Sequence, residues 1–282
     1  MSAPIITLTS DFGSRDGYVA AMKGVILGIC PDAIVVDVSH ELPPHDVPHA
    51  AFVLGTAFPF FPSNTVHLAV VDPGVGTDRR PILLITPAGA FVAPDNGLLT
   101  YALTAHGIRI PGSADPDDGA ELAESRRSEA GVPDGCAAYV LDRDRHWLKP
   151  TSDTFHGRDI FAPVAAHLAT GVRPEDLGTP TPTVQCLAIP QAVERGDIIE
   201  GRIIHVDRFG NLVSNIRLAG ASPVAVGIAG TRIPGLSHSY AGGREVLALV
   251  GSHGYLEVAL REGSAAKHLG AGVGARVDVT LG

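Results

Sequence analysis

The chain has 282 residues, of which 45% are hydrophobic, and 21 Lys and Arg stand against 30 Asp and Glu for a net charge of −9. That length and apolar content support a folded core of one large or two modest domains, while the acidic balance excludes a general nucleic-acid binder, which needs clustered cations to neutralise phosphates. Cys30, Cys136 and Cys186 are odd in number and lack CxxC spacing, which excludes a disulfide scaffold or a thiolate metal site.

The opening MSAPIITLTS has neither the basic start nor the long apolar centre of a signal peptide, and no apolar run reaches bilayer-spanning length. A cytoplasmic protein with no membrane partner is expected. The first half alternates short β-branched runs with longer helix-like segments: PIITLT, DGYVAAMKGVILGIC, AIVVDVS, DVPHAAFVLGTAFPF and TVHLAVV. This is the rhythm of a βαβ layered sheet. Further strands are expected at PILLIT and AFVAPD, with helices after PDNG and across GRDIFAPVAAHLATG, so an α/β N-terminal domain spans 1–172.

Motifs punctuate these elements. TSDFG places Asp11 at the end of the first strand, where open α/β sheets bind ligands; a carboxylate there either accepts two ribose hydroxyls or caps the next helix. Its DFG triplet lacks the HRD segment and Gly-rich loop of a kinase. SHELPPHDVPH gathers His40, His45 and His49, but Pro43 and Pro44 break the segment and HExxH is absent, so these read as surface or pocket-lining histidines and no metal is expected.

DPGVGTDRR follows the third strand with Asp72, Arg79 and Arg80 around two glycines, and matches neither GxxxxGK[ST] nor GxGxxG. Alone it is a Pro-Gly turn with solvated arginines. In APDNGLLT, Asp95 and Asn96 repeat the pattern of an acid after a strand, which a turn with an N-cap explains. Residues 111–135 are polar and read as an exposed excursion without chemistry. TFHGRDIFAP sets His156 at a helix start, either buried and satisfied by backbone or exposed as a catalytic imidazole.

The Pro, Thr and Gly content of 173–187 marks a linker. Beyond it, residues 188–282 change to short strands and Gly-rich turns with no long helix, an all-β barrel-like domain. HVDRFGNLVSNI brings Asp207 and Asn211 around a Phe-Gly turn, where an Asn amide suits an adenine edge and an Asp an ammonium. GSHGYLEVAL offers Gly251, Ser252 and His253, whose N–H groups suit a carboxylate. Either is, alone, an ordinary β-turn.

Each segment has a local explanation, but the ordered series TSDFG, DVSHELPPHDV, VDPGVGTDRR, PDNG, TFHGRDIFAP, HVDRFGNLVSNI and GSHGYLEVAL resembles the S-adenosyl-L-methionine (SAM) hydrolase family, also called SAM hydroxide adenosyltransferases, related to fluorinase and chlorinase. The resemblance spans almost the whole chain. It implies an N-terminal α/β unit and a C-terminal β-barrel in a homotrimer with interface active sites, and SAM as substrate rather than cofactor, split to adenosine and methionine. By motif, Asp72, Arg79 and His156 are implied to handle the water. Asp11 is implied to hold the ribose, Asn211 the adenine, and Asp207 and Ser252 the two ends of methionine, with Asp16 and His253 nearby. The halogenases have Tyr at the position of Asp72, Arg at that of His253 and Trp at that of His45. An anionic Asp repels halide yet accepts a hydrogen bond from water, which favours hydrolysis over halogenation. A non-catalytic SAM or adenosine sensor is the rival of a different class: it needs Asp11, Asn211 and Asp207 but not Asp72, Arg79 and His156.

Overall fold

The β-branched runs of the first half become β1 (Ile5–Ser10), β2 (Ile34–Ser39) and β3 (Val66–Val70), joined by α1 (Tyr18–Ile29) and α2 (Val47–Ala57). This is a computed structural model that describes residues 3–108, 127–218, 220–221, 223–242 and 245–282. β4 (Pro81–Thr86) and β5 (Gly89–Pro94) form a hairpin, followed by α3 (Thr100–Thr104). Then come β6 (Arg127–Gly131), β7 (Ala137–Val140), α4 (Ala162–Ala169), α5 (Pro174–Leu177), β8 (Thr179–Thr181) and β9 (Thr183–Leu187). Seven strands form one mixed sheet in the order β2-β1-β3-β5-β4-β7-β8, parallel from β2 to β5 and antiparallel thereafter.

Alternation along β3 divides the core between the two sheet faces. Val66, Leu68 and Val70 join Ile6, Leu8, Met22, Ile26, Phe161 and Val164 under α1 and α4. On the opposite face the His67 ring stacks on Phe91, with centroids 4.8 Å apart, and meets Phe58 and Phe61 edge-on.

Residues 173–187, read from their Pro and Thr content as a linker, belong to the first unit. β8 lies on the edge of the seven-stranded sheet, where Pro180 removes no ladder bond that the sheet needs. β9 pairs with β6 in a second, two-stranded sheet and buries Val184, Cys186 and Leu187. Gly178 makes the docking possible, because a Cβ there would collide with the Val140 carbonyl. Of the expected excursion at 111–135, positions up to 126 lie outside the described residues, but Arg127–Gly131 is a paired strand and not an excursion.

Residues 189–282 form a separate compact unit. It holds β10 (Val193–Arg195), β11 (Ile198–Val206), β12 (Leu212–Ser214), β13 (Pro223–Ile228), β14 (Thr231–Pro234), β15 (Val246–Val250), β16 (Leu256–Leu260), α6 (Ala265–Leu269) and β17 (Arg276–Leu281). The antiparallel order β14-β13-β17-β11-β12-β16-β15, with β10 beside β11, is that of a barrel-like sheet. Its ends meet where Ser237 N–H donates to the Ala248 carbonyl at 2.7 Å. Ile203, Leu212, Ile216, Val226, Leu256 and Val277 fill its interior.

The buried His67 links the fold to pH. Its Nδ1 pairs with Thr7 Oγ1 at 2.9 Å, and burial pushes its pKa from 6.5 down to about 4. Between those values the unfolded ring binds a proton that the folded ring refuses, so stability falls as pH drops from 6.5 towards 4, by up to about 3 kcal/mol. The urea midpoint is expected to fall across that window and to fall less steeply in His67→Phe; equal slopes in the two proteins would remove His67 as the titrating group.

Candidate active site

Asp72 lies two residues beyond β3 and Arg79 two residues before β4, so the loop between them projects from the carboxyl edge of the parallel strands, where ligands bind in such sheets. Thr77 closes the loop by donating from N–H (3.1 Å) and from Oγ1 (2.6 Å) to the Gly74 carbonyl. Gly76 adopts φ +78°, and a Cβ there would lie 2.7 Å from the Asp153 carbonyl oxygen, so glycine serves both the backbone conformation and the close approach. This tight path doubles Arg79 back onto Asp72.

The resulting ion pair is bidentate. Arg79 Nε donates to Oδ1 at 3.0 Å and to Oδ2 at 2.8 Å, and Nη2 donates to Oδ2 at 2.5 Å. Asp72 and Arg79 side chains are only 5% and 10% exposed, so each charge depends on the other; stripping one partner from such a pair costs about 3–5 kcal/mol. The guanidinium also lies 5.1 Å from the Phe161 ring centre. The same Nη2 reaches His156 Nδ1 at 2.8 Å. A guanidinium only donates, so Nδ1 must carry the lone pair, and the neutral ring holds its hydrogen on Nε2. Burial, with Arg79 second, lowers the His156 pKa below 6.5 and keeps the ring neutral.

His156 opens a π-helical turn, Gly157–Phe161, that runs into α4. Asp159 anchors that turn although nothing in the sequence marked it beyond an Arg-Asp pair at a helix start. It is fully buried, accepts Ser152 N–H at 2.8 Å and Ser152 Oγ at 2.7 Å, and pairs with Arg158 Nε at 2.6 Å. Burial raises its pKa, but the bonds from Arg158 and Ser152 outweigh burial and hold it below the usual carboxylate value. The segment before His156 is fastened by Phe155, whose ring meets Phe12 and Tyr18 at 5.7 and 5.1 Å.

Asp11 leaves β1 at the same sheet edge, since Ser10 and Val70 are in register on neighbouring strands. It does not cap α1, whose cap position is Gly17. Its Oδ2 instead accepts the His45 N–H at 2.8 Å, which the unusual φ of +67° at His45 turns towards it. His40 is spent on a chain from Ser10 Oγ (2.7 Å) to Asp37 (3.0 Å), whose second oxygen takes Lys23 at 2.6 Å. His49 lies in the first turn of α2, where its N–H donates to the capping Asp46. Among the described residues, no group of His, Cys, Asp or Glu could hold a metal ion. Asp16 is exposed ahead of α1, and no hydrogen bond or ion pair joins it to the Asp72 cluster among the described residues.

In the second unit Asp207 and Asn211 face each other across one turn. Asp207 Oδ1 accepts the Phe209 and Asn211 N–H groups at 2.9 and 2.8 Å, and Oδ2 accepts Asn211 Nδ2 at 2.8 Å. Ser252 is exposed on the turn before β16, and beside it His253 Nε2 lies 3.3 Å from Glu257 Oε2. Glu257, missed in the sequence, is 3% exposed and also accepts Tyr240 OH at 2.7 Å. Burial and that bond push the Tyr240 pKa up to about 12. The only sequence signal for Glu257 was a charge interrupting the apolar strand YLEVAL.

Family models for the SAM hydroxide adenosyltransferase N-terminal and C-terminal domains match residues 6–178 and 201–278. The chain is 40% identical to an (R)-S-adenosyl-L-methionine hydrolase of Thermus thermophilus over 93% of each chain, and 38% identical to one of Salinispora tropica over 99% of this chain and 98% of that one. A fluorinase of Nocardia brasiliensis is 26% identical over 99% of this chain and 97% of its own. Among solved structures, an uncharacterized conserved protein from Thermotoga maritima aligns with TM-score 0.82 and 30% identity over 98% of this chain and 99% of that chain. With its sequence, both domain matches and its fold in agreement, the chain belongs to the SAM hydroxide adenosyltransferase family.

Proposed function

We propose that this protein hydrolyses S-adenosyl-L-methionine to adenosine and L-methionine, by in-line attack of water on C5′ of the substrate. The observation that carries the reading is the buried Asp72–Arg79 pair joined to a neutral His156. Methionine leaves as a neutral thioether, so the leaving group needs no acid. The sulfonium cation becomes a neutral thioether while the Asp72 anion takes the water's proton, so charge falls along the step, and a dry pocket that holds one water in line favours it. A carboxylate has about four lone-pair sites, and Arg79 leaves room on Asp72 for the water to donate. His156 Nε2–H donates to the water oxygen, since its Nδ1 is taken by Arg79. The proton leaving the water therefore goes to Asp72, and His156 orients without accepting it.

Asp11 holds the ribose hydroxyls in this reading, Asn211 the adenine, Asp207 and Ser252 the ammonium and carboxylate of methionine, and Asp16 and His253 flank that end. SAM is the substrate and no cofactor takes part. A homotrimer with active sites at subunit interfaces, in the cytoplasm, completes the proposal. The relatives' names specify the (R) sulfonium epimer, and we assign the same preference here. An Asp where halogenases have Tyr argues against halide as nucleophile, and a sensor would have no use for a buried, charged Asp72–Arg79 pair.

Asp72→Ala is expected to cut adenosine formation at least about 100-fold, to a small residual rate, while calorimetry still detects SAM binding, and wild-type turnover in ¹⁸O water should label the adenosine 5′-hydroxyl. Full activity of that variant, or a 5′-chloro product in chloride, would overturn the reading. With stereochemically pure substrates, kcat/KM should favour (R)-SAM by at least about tenfold, a difference of about 1.4 kcal/mol; equal rates would remove the epimer assignment. The pH profile follows from His156. Its pKa lies below 6.5 and the neutral ring is the active form, so kcat/KM should rise with pH through a midpoint below 6.5 and then level off. His156→Gln, which keeps a donor but does not titrate, should lose that acid limb.

A further inference from the structure

The turn that carries Asp72 and Arg79 has two ends, and the end of β5 touches both. β5 lies between β3 and β4, parallel to the first and antiparallel to the second. Its carboxyl end therefore emerges where β3 stops and β4 begins. There Asn96 Nδ2 donates to the carbonyl of Val71, the residue before Asp72, at 2.9 Å. Asn96 Oδ1 accepts the Leu98 N–H at 3.2 Å, which fixes the amide orientation, because a flipped amide would set donor against donor and acceptor against acceptor.

Asp95 takes the other end. Its N–H donates to the carbonyl of Arg80 at 2.9 Å, and its Oδ2 accepts Arg80 Nε at 2.8 Å, one residue past Arg79. Its Oδ1 accepts the Gln185 N–H at 2.7 Å and so ties the pair to β9. Asn96 is 2% exposed and Asp95 7%. Neither is spent on the following helix, since α3 has Leu99 at its cap position and no side-chain cap.

We propose that Asp95 and Asn96 form a positioning clamp for the hydrolytic reaction, Asn96 setting Asp72 and Asp95 setting Arg79, with neither touching the substrate. The bidentate pair fixes Asp72 and Arg79 relative to each other, yet nothing within it fixes the pair relative to the sheet edge. The clamp supplies that second constraint by bonding to the residue immediately outside each end. Displacement of a positioned group by about 1 Å costs on the order of 100-fold in rate, so the effect belongs in kcat.

The inference rests on Asp72 and Arg79 being the water-handling pair, and one set of variants separates the two claims. Asn96→Ala and Asn96→Asp both lack the donor to Val71, and each should lower kcat for SAM about 10- to 100-fold, with KM and the adenosine Kd changed less than about threefold, as expected when only transition-state contacts are lost. Asn96→Gln retains the donor and should recover part of the rate. In an Asp72→Ala background, Asn96→Asp should lower the residual rate no further. If the Asn96 variants do not fold, Asp95→Asn, which keeps shape and weakens the hold on Arg80, carries the same expected kcat loss. Wild-type kcat per folded enzyme in these variants, a loss confined to KM or to melting temperature, or a further fall in the Asp72→Ala background would each overturn the clamp. Full activity of Asp72→Ala itself would instead overturn the reading of the site.

Discussion

The paired charges of Asp72 and Arg79 are the constraint around which the first unit is arranged. Two ions taken almost wholly out of water are tolerable only if their geometry is close to ideal, and three N–H···O contacts between 2.5 and 3.0 Å meet that condition. Meeting it requires the turn to reverse within seven residues of chain, which the left-handed Gly76 and the Thr77 bonds to Gly74 accomplish. It also requires a wall: Phe161 beneath the guanidinium comes from the π-helical turn that presents His156.

One arginine thereby sets the chemistry of two neighbours. It occupies the carboxylate of Asp72 without exhausting its lone pairs, and it dictates which nitrogen of His156 bears hydrogen. Burial and the adjacent cation together keep that imidazole uncharged. In the proposed reaction this divides the labour: a neutral donor orients the water, and an anion receives the proton. A Lys at 79 could not reproduce the arrangement, since an ammonium lacks the planar fork that grips a carboxylate and an imidazole at once.

Much of the fold was legible from pattern. The β-branched runs of the first half and the short strands after residue 188 are visible as period-two and apolar segments, and they fold as read. The stretch 173–187 differs from the expected linker, because Pro and Thr suit an edge strand as well as a linker and only pairing with β7 and β6 distinguishes them. Neither Asp159 in the first unit nor Glu257 in the second is marked by the sequence pattern. Both are buried carboxylates whose partners, Ser152 and Arg158 for one and Tyr240 and His253 for the other, carry no periodic signature.

The resemblance carried by the order of the motifs identified the family and, through Asp rather than the halogenases' Tyr at position 72, implied the type of reaction. What it left undetermined was how each residue is used. PDNG read as a turn with a cap, and becomes a tie across both ends of the Asp72 turn only because β5 is inserted between β3 and β4. Asp11 read equally as a cap, and is instead held by a backbone N–H from His45, more than thirty residues away. The reason is common to both: a hydrogen bond between distant residues is specified by sheet order and register, and neither is written in the spacing of the residues that make it.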